Sequence, residues 1–187
     1  DDLARTEGDP EIQALIRASV GLNLALDYLP GSITFDPLVD KVDAQLASRV
    51  VWLDACVTNV DRTPRNPNLL MWQRRLWLID HGASLYVHHA WNNPRDRSRD
   101  RFPKIAEHVL LPFAAGLKEA DAELAGRLTP ELIRRVVDLI PESWLSGEGR
   151  FSSVEAHREA YVEYLTTRLE GPRPFAEEAQ HARTLFV

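Results

Sequence analysis

Two prolines three residues apart, Pro64 and Pro67, constrain the fold of this chain more than any other feature. Proline fixes φ and removes an amide donor, so neither a helix interior nor a central strand passes through them. The segment Asn59 to Asn68 is therefore a rigid loop, and regular structure flanks it on both sides. Before it, from Asp43, the residues Leu46, Val50, Val51, Leu53, Ala55 and Cys56 recur at helical spacing behind an Asp that can cap the first turn, which predicts a largely buried helix. After it, Leu69-Leu-Met-Trp72 and Leu76-Trp-Leu-Ile79, joined by Gln73-Arg74-Arg75, predict a hairpin running into Asp80-His81-Gly82.

Upstream, Asp9-Pro10 caps and opens a short amphipathic helix with Ile12, Leu15, Ile16 and Val20 on one face. Leu22, Leu24, Leu26 and Tyr28 then alternate up to the Pro30-Gly31 turn. This is a strand pattern that still needs sheet neighbours. Beyond Gly82 the chain reads as irregular through Pro103. Helical patterns then fall at roughly 104–116, 117–125, 129–139 and 152–170, with a weaker tail near 175–184. The expected fold class is α+β, mostly α-helical, with one short β-hairpin beside the proline-bearing loop.

A chain of 187 residues, 44% of them hydrophobic, suffices for one core or for one lobe of something larger. Met71 is the only methionine, so Asp1 is expected to be a cut end. A single Cys56 forms no intramolecular disulfide and points to a reducing, cytoplasmic setting. No run approaches the ~18 apolar residues of a membrane span. The net charge of −6 argues against a dedicated nucleic-acid binder. The one basic cluster, Arg95, Arg97, Arg99 and Arg101, is interleaved with Asp96 and Asp100; it reads as a solvated loop, with a phosphate- or partner-binding role as the alternative. The five tryptophans are expected in the core, and Cys56 is expected to be a small buried hydrophobe.

Phosphoryl transfer from ATP needs Mg2+ bridging the phosphates and a carboxylate that orients the attacking hydroxyl. An Asp and an Asn on one loop, spaced Asp-x-x-x-x-Asn, followed by a hairpin and Asp-x-Gly, supply that set. Asp61, Asn66 and Asp80 occur in this order and spacing. Each could instead merely cap a turn, as such residues often do. It is the order of helix, proline-bearing loop, hairpin and Asp-x-Gly that makes the pattern informative.

The segment Asn59-Val-Asp61-Arg62-Thr-Pro-Arg-Asn66, with Trp77-Leu-Ile-Asp80-His-Gly82, resembles the HipA-like kinases, whose loop reads Asn-x-Asp-x-His-x-x-Asn. More distantly it is similar to the phosphoinositide-kinase superfamily. The resemblance implies a kinase-like C-terminal lobe over 32–187, ATP and Mg2+ as cofactors, and phosphorylation of a Ser or Thr on a protein target. It also implies that residues 1–31 are the end of an N-terminal lobe and its hinge strand, with Asp27, Tyr28 and Leu29 meeting the nucleotide. Under it Asp61 is the general base, Asn66 and Asp80 hold the metal, and Asn59 supports the loop. Thr63 stands where the family often has His. No lysine precedes Lys41 and no glycine-rich loop precedes the hinge, so the phosphate-gripping half is expected upstream of Asp1. The competing reading is a non-catalytic pseudokinase or regulatory module acting through a protein partner. A metal hydrolase using Asp61, Asp80, His81, His88 and His89 is the distant third.

Overall fold

The computed structural model describes residues 5, 6, 8–147 and 149–186, and the chain divides into two units at Pro30 and Gly31. In the first unit, helix α1 (Pro10–Ala18) is capped by Asp9, whose Oδ1 accepts the Glu11 amide at 2.8 Å, as the sequence predicts. The alternating Leu22 to Tyr28 segment does not form the expected strand. Its Leu24 and Tyr28 are more than four-fifths exposed. The physical reason is pairing: a strand needs a neighbour to receive its amides and carbonyls, and among the described residues this unit has none.

The second unit is α+β. A three-stranded antiparallel sheet, β1 (Ile33–Thr34), β2 (Leu69–Trp72) and β3 (Arg75–Leu78), runs in that spatial order, with Ile33 opposite Met71 and Leu70 opposite Trp77. The turn is tighter than expected. Gln73 and Arg74 alone make it, at φ of 49° and 61°, so both adopt the left-handed geometry that matches strand twist in a two-residue hairpin. At the open end of the hairpin, Ile79 N–H donates to Asn68 O at 3.0 Å, extending the pairing by one step. Asn68 and Asp80 there have φ of 48° and 47°, a conformation that Asn and Asp tolerate best among residues with a side chain.

Helix α2 (Ala44–Cys56) begins at Asp43, which caps the Gln45 and Leu46 amides at 3.0 Å. It is the spine of the core. Ala47, Val51, Trp52 and Ala55 pack among Phe35, Leu69, Ile105, Leu110, Leu111 and Phe175. The α-helices that follow are α3 (Pro94–Arg97), α4 (Leu117–Arg127), α5 (Pro130–Val137), α6 (Glu142–Leu145), α7 (Val154–Leu169) and α8 (Pro174–Thr184). The tail α8 is central rather than peripheral. Its Phe175, Ala176, Ala179 and Ala182 are all buried, the small residues letting it lie close to α2. A smaller cluster of Ile133, Val137 and Val162 joins α5 to α7.

The helix expected over 104–116 is instead two 3-10 turns, Pro103–Glu107 and Leu111–Phe113, separated by an extended His108. Pro112 would lose a helical hydrogen bond and strike the carbonyl of residue 108. The extended backbone also turns the His108 ring inward. Among the tryptophans only Trp52 is fully buried, with Nε1 donating to Asp121 Oδ1 at 2.8 Å; Trp72 and Trp77 meet edge-on at 5.6 Å across the hairpin, and Trp144 is half exposed. Cys56 is buried, and desolvation pushes its thiol pKa up to about 12. Among the described residues no helix is long and apolar enough to cross a membrane.

Candidate active site

The proline-bearing loop closes on itself around Pro64 and Arg65. Thr63 N–H donates to Asn66 O at 3.0 Å and Asn66 N–H returns to Thr63 O at 3.1 Å, so the two backbones pair and the spacing from Asp61 to Asn66 is fixed by the chain itself. Thr63 Oγ1 adds a 3.3 Å contact to the Asn66 amide. At residue 63 a hydroxyl thus helps hold the turn. The pairing brings Asn66 Nδ2 to 2.8 Å from Asp61 Oδ2, and Asn68 Nδ2 donates to the Asp61 carbonyl at 2.9 Å. Asn59 Oδ1 accepts the Asp61 amide at 3.2 Å, a contact within the loop.

Beneath this loop lies a buried ionic cluster that the sequence analysis did not single out. Asp54, near the end of α2, has no exposed side-chain surface and receives three donors: Arg62 Nε at 2.6 Å, His108 Nε2 at 2.9 Å and Asn59 Nδ2 at 3.0 Å. His108 Nδ1 accepts the Leu110 amide at 3.0 Å, so the imidazole is neutral with its proton on Nε2, directed at Asp54. Burial alone would raise the Asp54 pKa. The His108 hydrogen bond and the Arg62 charge outweigh it and hold the carboxyl below the usual range. Burial pushes the His108 pKa down, and the attraction of Asp54 does not reverse this.

Arg62 joins the loop to the second half of the set. Its Nη1 donates to Asn68 O, and to Ile79 O at 3.4 Å, one residue before Asp80. Two backbone contacts run alongside: Val60 N–H to Ala83 O at 3.3 Å and Leu85 N–H to Val57 O at 2.6 Å. Asp61, Asn66 and Asp80 thus sit on two segments stitched to each other and to α2. At the Asp-x-Gly turn, Asp80 Oδ1 accepts the Gly82 amide at 3.2 Å. A Cβ on residue 82 would stand 3.3 Å from that oxygen, a tight approach that the Asp80 side chain would have to yield to by a few tenths of an ångström.

Asn66 spends its amide nitrogen on Asp61, so Oδ1 is the atom it would offer to a cation; with the Asp80 carboxylate it would make an all-oxygen donor set, the kind that Mg2+ takes. Asp27, Tyr28 and Leu29 lie in the first unit, outside any strand, where Asp27 Oδ1 accepts the Tyr28 amide at 2.9 Å. The histidines considered for zinc follow Asp80 closely but do not alternate on a strand. Tyr86–His89 is a 3-10 turn in which the His88 and His89 rings meet edge-on at 4.3 Å. Among the described residues no group of three or more His, Cys, Asp or Glu side chains is arranged to hold a metal.

A second buried cation, Arg168 of α7, supports the same region from the far side. Its guanidinium donates to the last carbonyls of α2, Ala55 O at 2.9 Å and Cys56 O at 2.6 Å, and to Ser98 O and Asp100 O at 3.1 Å. It lies 4.7 Å from the centroid of the Phe175 ring. A planar five-donor fork reaches four carbonyls at once, which an ammonium cannot do. No family model matches this chain, and neither a curated protein nor a solved structure matches it.

Proposed function

We propose that this chain carries the acceptor and metal side of an ATP-dependent phosphotransferase of the HipA-like type, in a kinase-like C-terminal lobe. The observation that carries the reading is the 2.8 Å contact between Asp61 and Asn66, in a loop that Arg62 ties to the segment bearing Asp80. Asp61 accepts the proton of a Ser or Thr hydroxyl on a protein substrate as that oxygen bonds to the γ-phosphorus and the bond to the ADP oxygen breaks. Asn66 Oδ1 and the Asp80 carboxylate hold Mg2+, which when bound neutralises charge on the phosphates. Catalysis of this kind is mostly positioning, and the clamped loop suits it. Asp27, Tyr28 and Leu29 are assigned to the nucleotide by resemblance alone.

The test is transfer of radiolabelled phosphate from ATP, to the protein itself or to an added protein, compared between wild type and Asp61→Asn. Loss of ~100-fold or more in rate is expected from removing a positioned base. Equal labelling by the variant refutes the assignment of Asp61. In titration calorimetry, Asp80→Ala should abolish the Mg2+-dependent part of nucleotide affinity. The second reading, a non-catalytic regulatory module, draws on Thr63, which holds the turn where HipA-like kinases often have His. Mg2+-dependent nucleotide binding without any phosphoryl transfer decides for it.

A further inference from the structure

We infer that the groove beside the proline-bearing turn receives the acceptor peptide and selects a carboxylate, from Asp or Glu, close to the Ser or Thr that is phosphorylated. The inference rests on the phosphotransferase reading for its acceptor and on the groove alone for its choice of charge. The groove has a volume of about 460 Å³, within the ~300–1,000 Å³ of ligand-sized sites. It runs between the Thr63–Arg65 turn on one side and Ala106, Pro112 and Phe186 on the other. Its walls are open to an occupant: Pro64, Arg65, Ala106, Pro112 and Phe186 are all exposed.

Charge and position together set what this groove accepts. Arg65 has neither an ion-pair nor a hydrogen-bond partner among the described residues. Glu107 also lines the groove, but its Oε1 lies 3.0 Å from Lys104 Nζ and is already countered. His108 is neutral, with both ring nitrogens engaged. The groove and its rim therefore carry one uncompensated positive charge, in a chain whose net charge is −6. As for position, Pro64 and Arg65 are the central residues of the turn that Thr63 and Asn66 close, and Asn66 Nδ2 holds Asp61 Oδ2 at 2.8 Å. The free cation and the candidate base thus belong to one stiffened turn. A peptide extended past Asp61 advances ~3.3–3.6 Å per residue, so a carboxylate about two to four positions from the acceptor comes within reach of Arg65. The guanidinium takes it through charge-assisted hydrogen bonds, while a lysine or arginine at the same place meets a like charge. Pro64, Pro112 and Phe186 offer apolar surface to the neighbouring side chains.

The test uses the whole chain and synthetic peptides with one serine in an alanine and glycine background, flanked on both sides by glutamate, by alanine or by lysine. Binding is followed by amide shifts in NMR, and transfer separately with radiolabelled ATP and Mg2+. The glutamate peptide should bind about fivefold more tightly than the alanine peptide, the upper end for one exposed ion pair, and the lysine peptide more weakly than either. The largest shifts are expected at Thr63, Arg65, Ala106 and Phe186, and the preference should shrink as added salt screens it. Arg65→Glu should reverse the order of the peptides, while Arg135→Glu, the same change of charge on α5, should keep it. Equal binding of all three peptides, shifts confined to residues outside the groove, or an unchanged order in Arg65→Glu overturns the inference, and the wild-type shift map decides even where a variant fails to fold. Labelling of the three peptides at equal rates also overturns it and leaves the phosphotransferase reading standing. Charge preference in binding with no labelling of any peptide overturns that reading instead, and with it the role of the peptide as acceptor, while the choice of charge by the groove stands.

Discussion

Replacing Asp54 by alanine removes the anion on which three buried donors converge. Arg62, whose side chain has no exposed surface, would keep its charge without a counter-charge, and the donors on His108 and Asn59 would lose their acceptor. Breaking a buried ion pair from one side costs ~3–5 kcal/mol, and an orphaned neutral donor ~1–3 kcal/mol. These overlap because they describe the same carboxylate, so the expected total is about 4–6 kcal/mol rather than the sum. Against a domain stability of ~5–15 kcal/mol, the variant sits close to its unfolding threshold. Urea unfolding followed by tryptophan fluorescence should show an unchanged slope and a midpoint lower by about 2–3 M, for a slope near ~2 kcal/mol per molar. The double variant Asp54→Leu with Arg62→Met deletes both charges, and it should lose at least ~2 kcal/mol less than the two single losses added together. A single-variant loss under ~1 kcal/mol, or strict additivity in the pair, would refute the view that this cluster holds the loop.

Three further outcomes follow from the same contacts. His108 has a folded-state pKa below its ordinary 6.5, so the unfolded chain binds more protons in that range; stability should be full above pH 6.5 and fall below it, with a second loss below 3.8 as Asp54 protonates, and His108→Gln should flatten the upper part of the curve. Arg168→Met should cost ~2–4 kcal/mol in the same urea assay, and Arg168→Lys should recover little of it, because one ammonium cannot reach four carbonyls. Cys56, with its thiol pushed up to about 12, should resist a disulfide reagent at pH 8 until the protein is unfolded with urea, so fast labelling of the native protein would contradict its burial.

How far the fold could be read in advance depended on whether each signal was local. Helix α2 carried its own cap and its own apolar face, and β2 and β3 carried theirs, so the sequence located all three within a residue or two. The hairpin turn was misjudged by one residue because Gln73 and Arg74 lack the Asn or Gly that ordinarily marks left-handed positions. The Leu22 to Tyr28 alternation failed for a different reason. Period-two patterning states only that a segment could pair, and the partner has to be supplied elsewhere. Likewise 104–116 has helical spacing of apolar residues, but Pro112 and the inward demand on His108 outcompete it. The tail helix α8 read as weak because its buried face is made of alanines, whose value is close approach rather than hydrophobicity.

The same distinction runs through the candidate site. Asp61 and Asn66 were legible because they lie five positions apart and Pro64 stiffens the route between them, so spacing in sequence became spacing in space. Asp54, Arg62 and His108 were not, because no pattern links residues 8 and 54 positions apart until the chain has folded. Arg62 could have been suspected: an arginine between a candidate base and a proline-stiffened turn is an odd place for a solvated charge. It meets Asp54 through Nε and the Asn68 and Ile79 carbonyls through Nη1, and so couples helix, loop and Asp-x-Gly turn through one planar group. A lysine there could satisfy the carboxylate or the carbonyls but not both, since its three donors radiate from a single nitrogen. Arg62→Lys is therefore the sharper probe of positioning. It keeps the charge opposite Asp54, so the stability loss should be well below that of Asp54→Ala, while any activity dependent on the register between Asp61 and Asp80 should fall by ~10-fold or more. Equal losses of stability in the two variants would show that Arg62 serves the fold alone.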